Sequence, residues 1–288
     1  MKLKWRYLAA LAAVMAVCFT AAGQRGKEKT LMQLYEESLV RPDGKDSFGY
    51  MKGYAYAFIP GQRPQKLFGI EGYNVRRRIE TPEKDGYFIA TREVVFYTDP
   101  NTGQIIWEWD NPFTGKKDEV FHIANDPVNF RVRIRDGKHI SVSLDGKREF
   151  GEPTPPQEWD DYYVFYSDVF PFYPLPGWDK NYTAAELFDT YISKADRHRD
   201  GPARVMTSWT RVGPWLPWLR MDGHEGVMVY HARSDRLASW DQLPAHIRQV
   251  VKEKYPIYLT APDRVDPTRP NVTSWTYYME EMKKRKGQ

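Results

Sequence analysis

The sequence predicts an α+β protein that is mainly antiparallel β, with a curved sheet or partly closed β-barrel and flanking helices. Three observations support this. From residue 47 to about residue 140, segments rich in β-branched and aromatic residues alternate apolar and polar positions. Turn sequences separate these segments at the spacing of consecutive hairpins. The strands follow one another in runs instead of alternating with helices, which favours an antiparallel sheet over a doubly wound parallel one.

Two turn sequences show the hairpin pattern most clearly. Residues 99–103 read DPNTG and residues 110–115 read DNPFTG, and each contains a proline and ends in glycine. Their glycines are 12 residues apart, which is the spacing of successive hairpins. The dipeptide Asp136-Gly137 is typical of a two-residue hairpin turn. Further strands are predicted over 161–170, 204–212 and 226–231.

Four helices are predicted around this sheet. Apolar residues at helical spacing and charged residues near the helix ends predict three of them. A fourth, short helix is predicted over 184–192, because Thr183 is a suitable N-cap and Glu186 completes a capping box three residues later. The other three predicted helices cover residues 27–39, 244–255 and 274–286.

Residues 1–22 are predicted to be a secretory signal peptide. Three basic residues precede an apolar run, and small residues follow at a suitable cleavage position. The run is shorter than the ~20 residues that span a membrane, so we expect no stable membrane span after the signal is removed. The protein is expected in the periplasm or secreted. Lipidation of Cys18 is the less favoured alternative, because Val17 stands where a lipobox needs a small residue.

Residues 23–288 are predicted to form a single mainly-β domain, and the Pro-rich segment 151–157 is the place where it would otherwise divide. Removal of the signal takes away three of the 42 basic residues and no acidic residue, which leaves 39 against 38. A formal charge of +1 gives no electrostatic case for binding nucleic acid. The only cysteine lies in the signal, so the mature chain has no disulfide and no cysteine ligand for a metal.

The sequence contains none of the common nucleotide-binding or hydrolase motifs. The phosphate-binding loop, the dinucleotide fingerprint, the G-x-S-x-G nucleophile motif and H-E-x-x-H are all missing. We therefore expect no nucleotide cofactor and no metal. The oligomeric state stays open at this point.

Several segments carry a resemblance to a known family. They read LFGIEGYNV at 67–75, REVVFYTDPNTGQIIWEWDNPFTGKKDEVFHIANDPV at 92–128, SWTRVGPWLPWL at 208–219 and APDRVDPTRPNVTSWTYY at 261–278. Together they resemble the bacterial family called domain of unknown function 1838. The resemblance covers most of the chain after the signal. It implies an exported protein, and it carries over no activity, cofactor or catalytic residue.

The strongest candidate for proton transfer is a polar cluster at the end of a predicted strand. A histidine ordinarily titrates near neutral pH, and Asn125 and Asp126 follow His122 closely enough to orient a base. The structural alternative is that Asn125 and Asp126 cap a turn before Pro127 while His122 packs with a backbone partner.

Glu71 is a second candidate acid or base. It stands between Gly69 and Gly72 in an otherwise apolar strand, where burial would raise the pKa of a carboxyl group. The glycines alternatively mark a bulge or a close backbone approach. Arg92 is expected to bind an anionic ligand or Glu71 if it points inward, and to lie on the surface if it points outward.

The densest aromatic stretch contains Trp209, Trp215 and Trp218. These indole rings form a stiff apolar wall that suits a ring or an isoprenoid chain. The alternatives are a packed core plug, which is the favoured interpretation, and a lip that touches a membrane. Arg211 lies beside them and is a candidate anion clamp. His224 is a further candidate ligand-binding residue, but its spacing from His122 matches no metal-ligand signature.

Two function hypotheses follow. In the first, an aromatic-lined cavity holds a small apolar or aromatic molecule for isomerase, lyase or cyclase chemistry without a nucleotide cofactor. His122 or Glu71 would move a proton there, and Arg211 or Arg92 would hold an oxygen. In the second, the same cavity belongs to a non-catalytic periplasmic carrier of a hydrophobic ligand. A purely structural envelope protein is the third alternative.

Overall fold

The computed structural model describes residues 28–174 and 181–287. The predicted signal peptide, with Cys18, lies outside the described residues. Three α-helices are present in the described part of the chain. They are α1 (Leu31–Leu39), α2 (Ala245–Lys254) and α3 (Ser274–Arg285).

The fold is organised around one 12-stranded antiparallel sheet. Its order is β10-β11-β14-β15-β16-β1-β2-β3-β7-β8-β9, and β6 pairs beside β7 on β3. Two-stranded ribbons, β4 with β5 and β12 with β13, stand apart from it. The strands are β1 (Ser47–Phe58), β2 (Gln65–Glu80), β3 (Gly86–Thr98), β4 (Glu108–Asn111), β5 (Lys116–Glu119), β6 (Ile123–Asn125), β7 (Phe130–Arg135), β8 (Lys138–Val142), β9 (Glu149–Gly151), β10 (Gln157–Trp159), β11 (Tyr162–Val169), β12 (Phe172–Pro174), β13 (Asn181–Thr183), β14 (Ala185–Ser193), β15 (Val205–Gly213) and β16 (Val227–Leu237).

The sheet bends strongly toward one face. The hydroxyls of Tyr97 on β3 and Tyr230 on β16 are 3.0 Å apart, although β1 and β2 lie between those strands. In a flat sheet the two strands would be roughly 14 Å apart and their side chains would stand parallel. The hydroxyls meet only because the sheet curves toward them, so this face is the concave one.

The connection between β9 and β10 gives independent evidence of curvature. These strands are the two ends of the sheet order, yet only residues 152–156 join them. Such a link reaches at most about 20 Å, whereas eleven flat strands would separate the ends by about 48 Å. The sheet is therefore curved and open at its edges. A domain division at 151–157 stays a prediction.

Small residues on the concave face allow the central strands to bend. A Cβ atom at Gly72 would collide with the carbonyl oxygen of Val94 on the neighbouring strand, and one at Gly53 would collide with the backbone of His231. These glycines allow a close backbone approach that any larger residue prevents. The glycine interpretation made from the sequence around Glu71 is thus confirmed for Gly72.

Each end of the concave face is covered by a different segment. Helix α1 packs Leu34 against Ile192 and neighbouring residues of β11 and β15, while Val40 packs against Tyr87 and Ile89 of β3. At the other end, residues 214–221 pack against β2, β3 and β16. We call residues 214–221 the plug segment. Between helix α1 and the plug segment, polar side chains occupy the concave-face positions of β3.

The convex face is covered in part by α2. Ile247 and Val251 of the helix are fully buried against Tyr73 and other apolar residues of the central strands. The hydroxyl of Tyr73 donates a hydrogen bond of 2.7 Å to the carbonyl oxygen of Tyr258, which lies just after α2. Packing and this bond fix the helix on the sheet.

Most predicted elements are confirmed, including the three longer helices and the hairpin turn at Asp136-Gly137, where both residues have positive φ. The predicted helix over 184–192 is wrong, because residues 185–193 form strand β14. Local capping signals there are overridden by pairing with β11 and β15 on both sides. A Thr190 hydroxyl 3.2 Å from the Thr207 hydroxyl adds a cross-strand contact.

We expect Gly72→Ala to destabilise the protein by about 1–3 kcal/mol, because the new methyl group must displace backbone of β3. Gly69→Ala on the same strand is the matched control, since its methyl group would meet only the movable hydroxyl of Thr98 at close range. Urea unfolding of both variants measures the difference. Equal losses would contradict the role given to the close approach at Gly72.

Candidate functional site

Polar and aromatic side chains from six strands meet on the concave face, between α1 and the plug segment. Alternation along each strand directs them there, because residues two apart in a strand point to the same face. They come from distant parts of the sequence, and the curvature brings them together. We call this set the concave polar cluster: Arg76, Glu93, Tyr97, Asn125, Glu186, Trp209, Arg211, Tyr230 and Arg236.

Arg211 is the centre of one half of this cluster. Its guanidinium lies 5.2 Å from the ring centre of Tyr230 and 5.7 Å from that of Tyr182, and it donates a hydrogen bond to the Tyr182 hydroxyl. Its Nε lies 3.5 Å from Glu186 Oε1. The indole N–H of Trp209 donates to the other carboxylate oxygen of Glu186 at 3.1 Å. This half offers a buried cation, an indole and phenol hydroxyls.

The paired tyrosines remain protonated at neutral pH. Burial raises the pKa of Tyr230 to about 12 and that of Tyr97 well above its ordinary value. Only one of the two hydroxyls donates in their mutual bond, and the Tyr230 hydroxyl can direct its proton to Met228 Sδ at 3.8 Å, a weak acceptor that an oxygen atom could replace. The pair can therefore donate a hydrogen bond to an oxygen atom of a ligand.

Glu93 stands between the two halves of the cluster. Its Oε2 accepts a 2.8 Å hydrogen bond from the side-chain amide of Asn125. Burial raises the pKa of Glu93, and the Glu186 carboxylate raises it further, while Asn125 lowers it. Glu93 on β3 and Glu186 on β14 both belong to the concave face, because the strand registers align them with Tyr97 and Tyr230.

Arg76 and Arg236 form the other half, beneath α1. Arg236 donates to the hydroxyl of Ser47 at 3.1 Å and to the carbonyl oxygen of Ser38 in α1. Burial lowers the pKa of Arg76. The pKa of Arg236 is lowered to about 9, first by burial and then by the Arg76 cation. Ser47 pairs with Arg76 across β1 and β2 and accepts the hydrogen bond from Arg236, so the two half-buried cations lie close together.

Glu71 lies on the opposite, convex face. The carboxylate is buried and has three partners. The Tyr50 hydroxyl donates to it at 2.6 Å, and Lys52 Nζ and His246 Nε2 each lie 3.3 Å from it. His246 is on α2, so this group of contacts fastens the helix to the sheet.

His122 also points to the convex side, where it is buried among Phe96, Tyr97 and Trp107. The backbone N–H of Tyr97 donates to its Nδ1 at 3.1 Å, so in the neutral ring the proton is on Nε2. Burial, and then the Lys254 cation, lower the pKa of His122 to about 3. The imidazole is therefore neutral across the physiological range and is bonded to the backbone.

The remaining candidates divide in the same way. Arg92 is on the convex face, where its Nε donates to Asp126 at 2.9 Å and its Nη1 to two carbonyl oxygens after α2. Trp215 and Trp218 are buried in the plug segment. The ring of Trp218 lies 5.4 Å from that of Tyr97. His224 is exposed.

The structure therefore separates the residues that the sequence grouped together. Asn125, Trp209 and Arg211 share the concave face, while His122, Glu71, Arg92 and Asp126 lie on the convex side. The sequence analysis missed Arg76, Glu93, Glu186 and Arg236 as site residues. Glu93 gave a usable signal, because it is a charged residue inside the apolar strand that continues as VVFY.

Among residues 28–174 and 181–287, no group of three or more His, Cys, Asp and Glu side chains is arranged to hold a metal ion. No helix in that part of the chain is both long and apolar enough to cross a membrane.

Comparison with protein families finds one match that covers most of the chain. The model of a family described as "Protein of unknown function (DUF1838)" matches residues 44–282. The chain belongs to this family. The resemblance seen in the sequence is confirmed, and the matched range contains the whole sheet and the whole concave polar cluster, which are thus part of the family domain. No curated protein and no solved structure matches the chain.

We expect His122 to make folding sensitive to acid. The unfolded state binds a proton below about pH 6.5, whereas the folded state excludes it until about pH 3, so stability falls as the pH drops through this window. The contribution is at most about 1.4 kcal/mol per pH unit. Urea unfolding at several values between pH 7 and pH 4 measures how the free energy of unfolding depends on pH. This dependence should be shallower for His122→Gln than for the wild type, whereas His224→Gln, at an exposed position, keeps the wild-type dependence. Identical slopes for wild type and His122→Gln would refute this.

Proposed function

We propose that the concave interior is a cavity that binds a small apolar or aromatic molecule. The observation that carries this is the concave polar cluster itself. Charged groups in a protein interior are costly to a fold unless they are paired, and here the buried Arg211 and the half-buried Arg76, Glu93, Glu186 and Arg236 are gathered on the concave face. Groups placed this way serve to contact a molecule that enters.

The surroundings of the cluster suit such a ligand. Trp209 is only partly buried, and its ring lies 5.7 Å from that of Tyr230, so the two aromatic side chains offer apolar surface beside the polar groups. Helix α1 covers one end of the interior, and the plug segment covers the other. A low-dielectric surrounding strengthens each polar contact to the ligand.

The proposal includes the place of action. With the signal peptide predicted over 1–22, the protein would act in the periplasm or outside the cell, as a carrier or scavenger of its ligand. The family match itself assigns no activity.

A second candidate function is proton transfer on the bound molecule, as in an isomerase, lyase or cyclase. His122 and Glu71 are poor choices for this role, because both are on the convex side, away from the concave interior. Glu93 fits it better. Its carboxyl group has a raised pKa, has only Asn125 as a hydrogen-bond partner among the described residues, and faces the interior with Arg211 and the tyrosine hydroxyls.

We expect a small molecule to copurify with the protein expressed through export, and Trp209→Ala to lose it. Removal of the indole deletes apolar contact area and the partner of Glu186. Trp159→Ala is the matched control, because Trp159 is 59% exposed on the edge strand β10. Native mass spectrometry of both variants and of the wild type measures retention. A ligand kept by Trp209→Ala, or lost equally by Trp159→Ala, would count against the concave site.

The two candidate functions separate at Glu93. If Glu93 transfers protons, incubation of the copurified molecule with wild-type protein in heavy water introduces deuterium into it, and Glu93→Gln abolishes this uptake while retaining the molecule. Mass spectrometry of the extracted ligand measures the uptake. A carrier gives no deuterium uptake with either protein.

A further inference from the structure

We propose that the ligand carries a single negative charge, as a monocarboxylate does, and that Arg76 and Arg236 bind it beneath helix α1. This inference rests on the proposed function, since it assigns the chemical class of the ligand in the same concave interior.

The first step is the state of Arg76. Its side chain is half-buried, its guanidinium forms no hydrogen bond and no ion pair with any described residue, and its Nε is buried without a partner. An arginine in the interior of a protein is normally paired with a carboxylate or with several carbonyl oxygens. Arg76 therefore lacks the anion that its position requires.

The second step is its neighbour. Arg236 donates one hydrogen bond to the hydroxyl of Ser47 and one to the carbonyl oxygen of Ser38. Its Nε, like that of Arg76, is buried without a partner. Both arginines adjoin Ser47, which pairs with Arg76 across β1 and β2 and accepts a hydrogen bond from Arg236. Their like charges therefore repel each other, and the lowered pKa of Arg236 agrees with this. An anion between or beside them would relieve the repulsion and satisfy the open N–H groups.

The nearest acidic side chain does not fill this role. Glu93 is the carboxylate that influences Arg76 most, but no ion pair joins the two, and Glu93 is bonded to Asn125 instead. Two cations and one carboxylate leave one uncompensated positive charge in this half of the cluster. That balance favours a singly charged anion over a doubly charged phosphate group.

The geometry of guanidinium groups supports a carboxylate. Each presents a planar fork of N–H donors that matches two carboxylate oxygens. The apolar part of the ligand would then extend away from α1, past Met51, toward Trp209 and Tyr230. Met51 is on the same face of the sheet and packs with the apolar cluster around the plug segment.

The test uses a matched pair of probes, 2-naphthoate and 2-naphthalenemethanol, which share a ring system and differ in charge. Fluorescence titration of the purified protein should show naphthoate binding about tenfold or more tightly than the alcohol. Arg76→Met should remove this preference while the alcohol still binds. Arg77→Met is the control: it is the next residue of β2, points to the convex face and pairs with Asp46 at 2.7 Å, so it should keep the preference.

A second measurement needs no ligand. Because Arg76 is a half-buried charge with no partner among the described residues, Arg76→Met should raise the Tm of the ligand-free protein. Arg236→Met should lower the Tm, since it leaves the carbonyl of Ser38 and the hydroxyl of Ser47 unpaired. A merely structural arginine at position 76 would give a lower Tm on replacement, which would overturn the assignment.

The outcomes distinguish the two proposals. Equal affinity for both probes, or an unchanged preference in Arg76→Met, overturns the anion site while leaving the binding cavity standing. Failure of both probes to bind, together with no copurified molecule, overturns the proposed function itself.

Discussion

The inward bend of the large sheet is the constraint on which the rest of the structure depends. It is visible where the hydroxyls of Tyr97 and Tyr230 meet from strands that have two others between them. Glycines such as Gly53 and Gly72 permit the bend, because neighbouring backbone occupies the space of a side chain. Without it, the polar residues of β3 and β14 would be too far apart to influence one another, and α1 could not contact both halves of the sheet.

Curvature also gives the two faces different electrostatic characters. On the convex side, Glu71 contacts a tyrosine, a lysine and a histidine, and Arg92 pairs with Asp126. Such pairs fasten α2 and its following segment to the sheet. On the concave side, Arg76 has no partner among the described residues, and Arg236 has partners for only some of its N–H groups. The convex contacts therefore hold the fold together, and the incomplete concave set is available to a ligand.

The separation of faces explains which site predictions could be made from sequence. His122 and Asn125 are three residues apart, and the alternation of a strand sends them to opposite faces, so their closeness in sequence does not make them one site. Glu186 was hidden by a capping pattern that predicted a helix where β14 lies. Arg76 and Arg236 looked like ordinary surface arginines, since nothing local records that their strands line an interior.

The sequence by itself determined the antiparallel β class, the three longer helices, the hairpin turn at Asp136-Gly137 and the family, because these depend on alternation, helical spacing, turn chemistry and motifs that are local in the chain. The tertiary structure alone decided which face of each strand is enclosed. Alternation states that neighbouring side chains point to opposite sides, but the direction in which a sheet bends depends on contacts between strands far apart in sequence, such as β3 and β16. That direction selects Arg211, Glu93 and Arg76 for the interior and leaves His122 and Glu71 outside it.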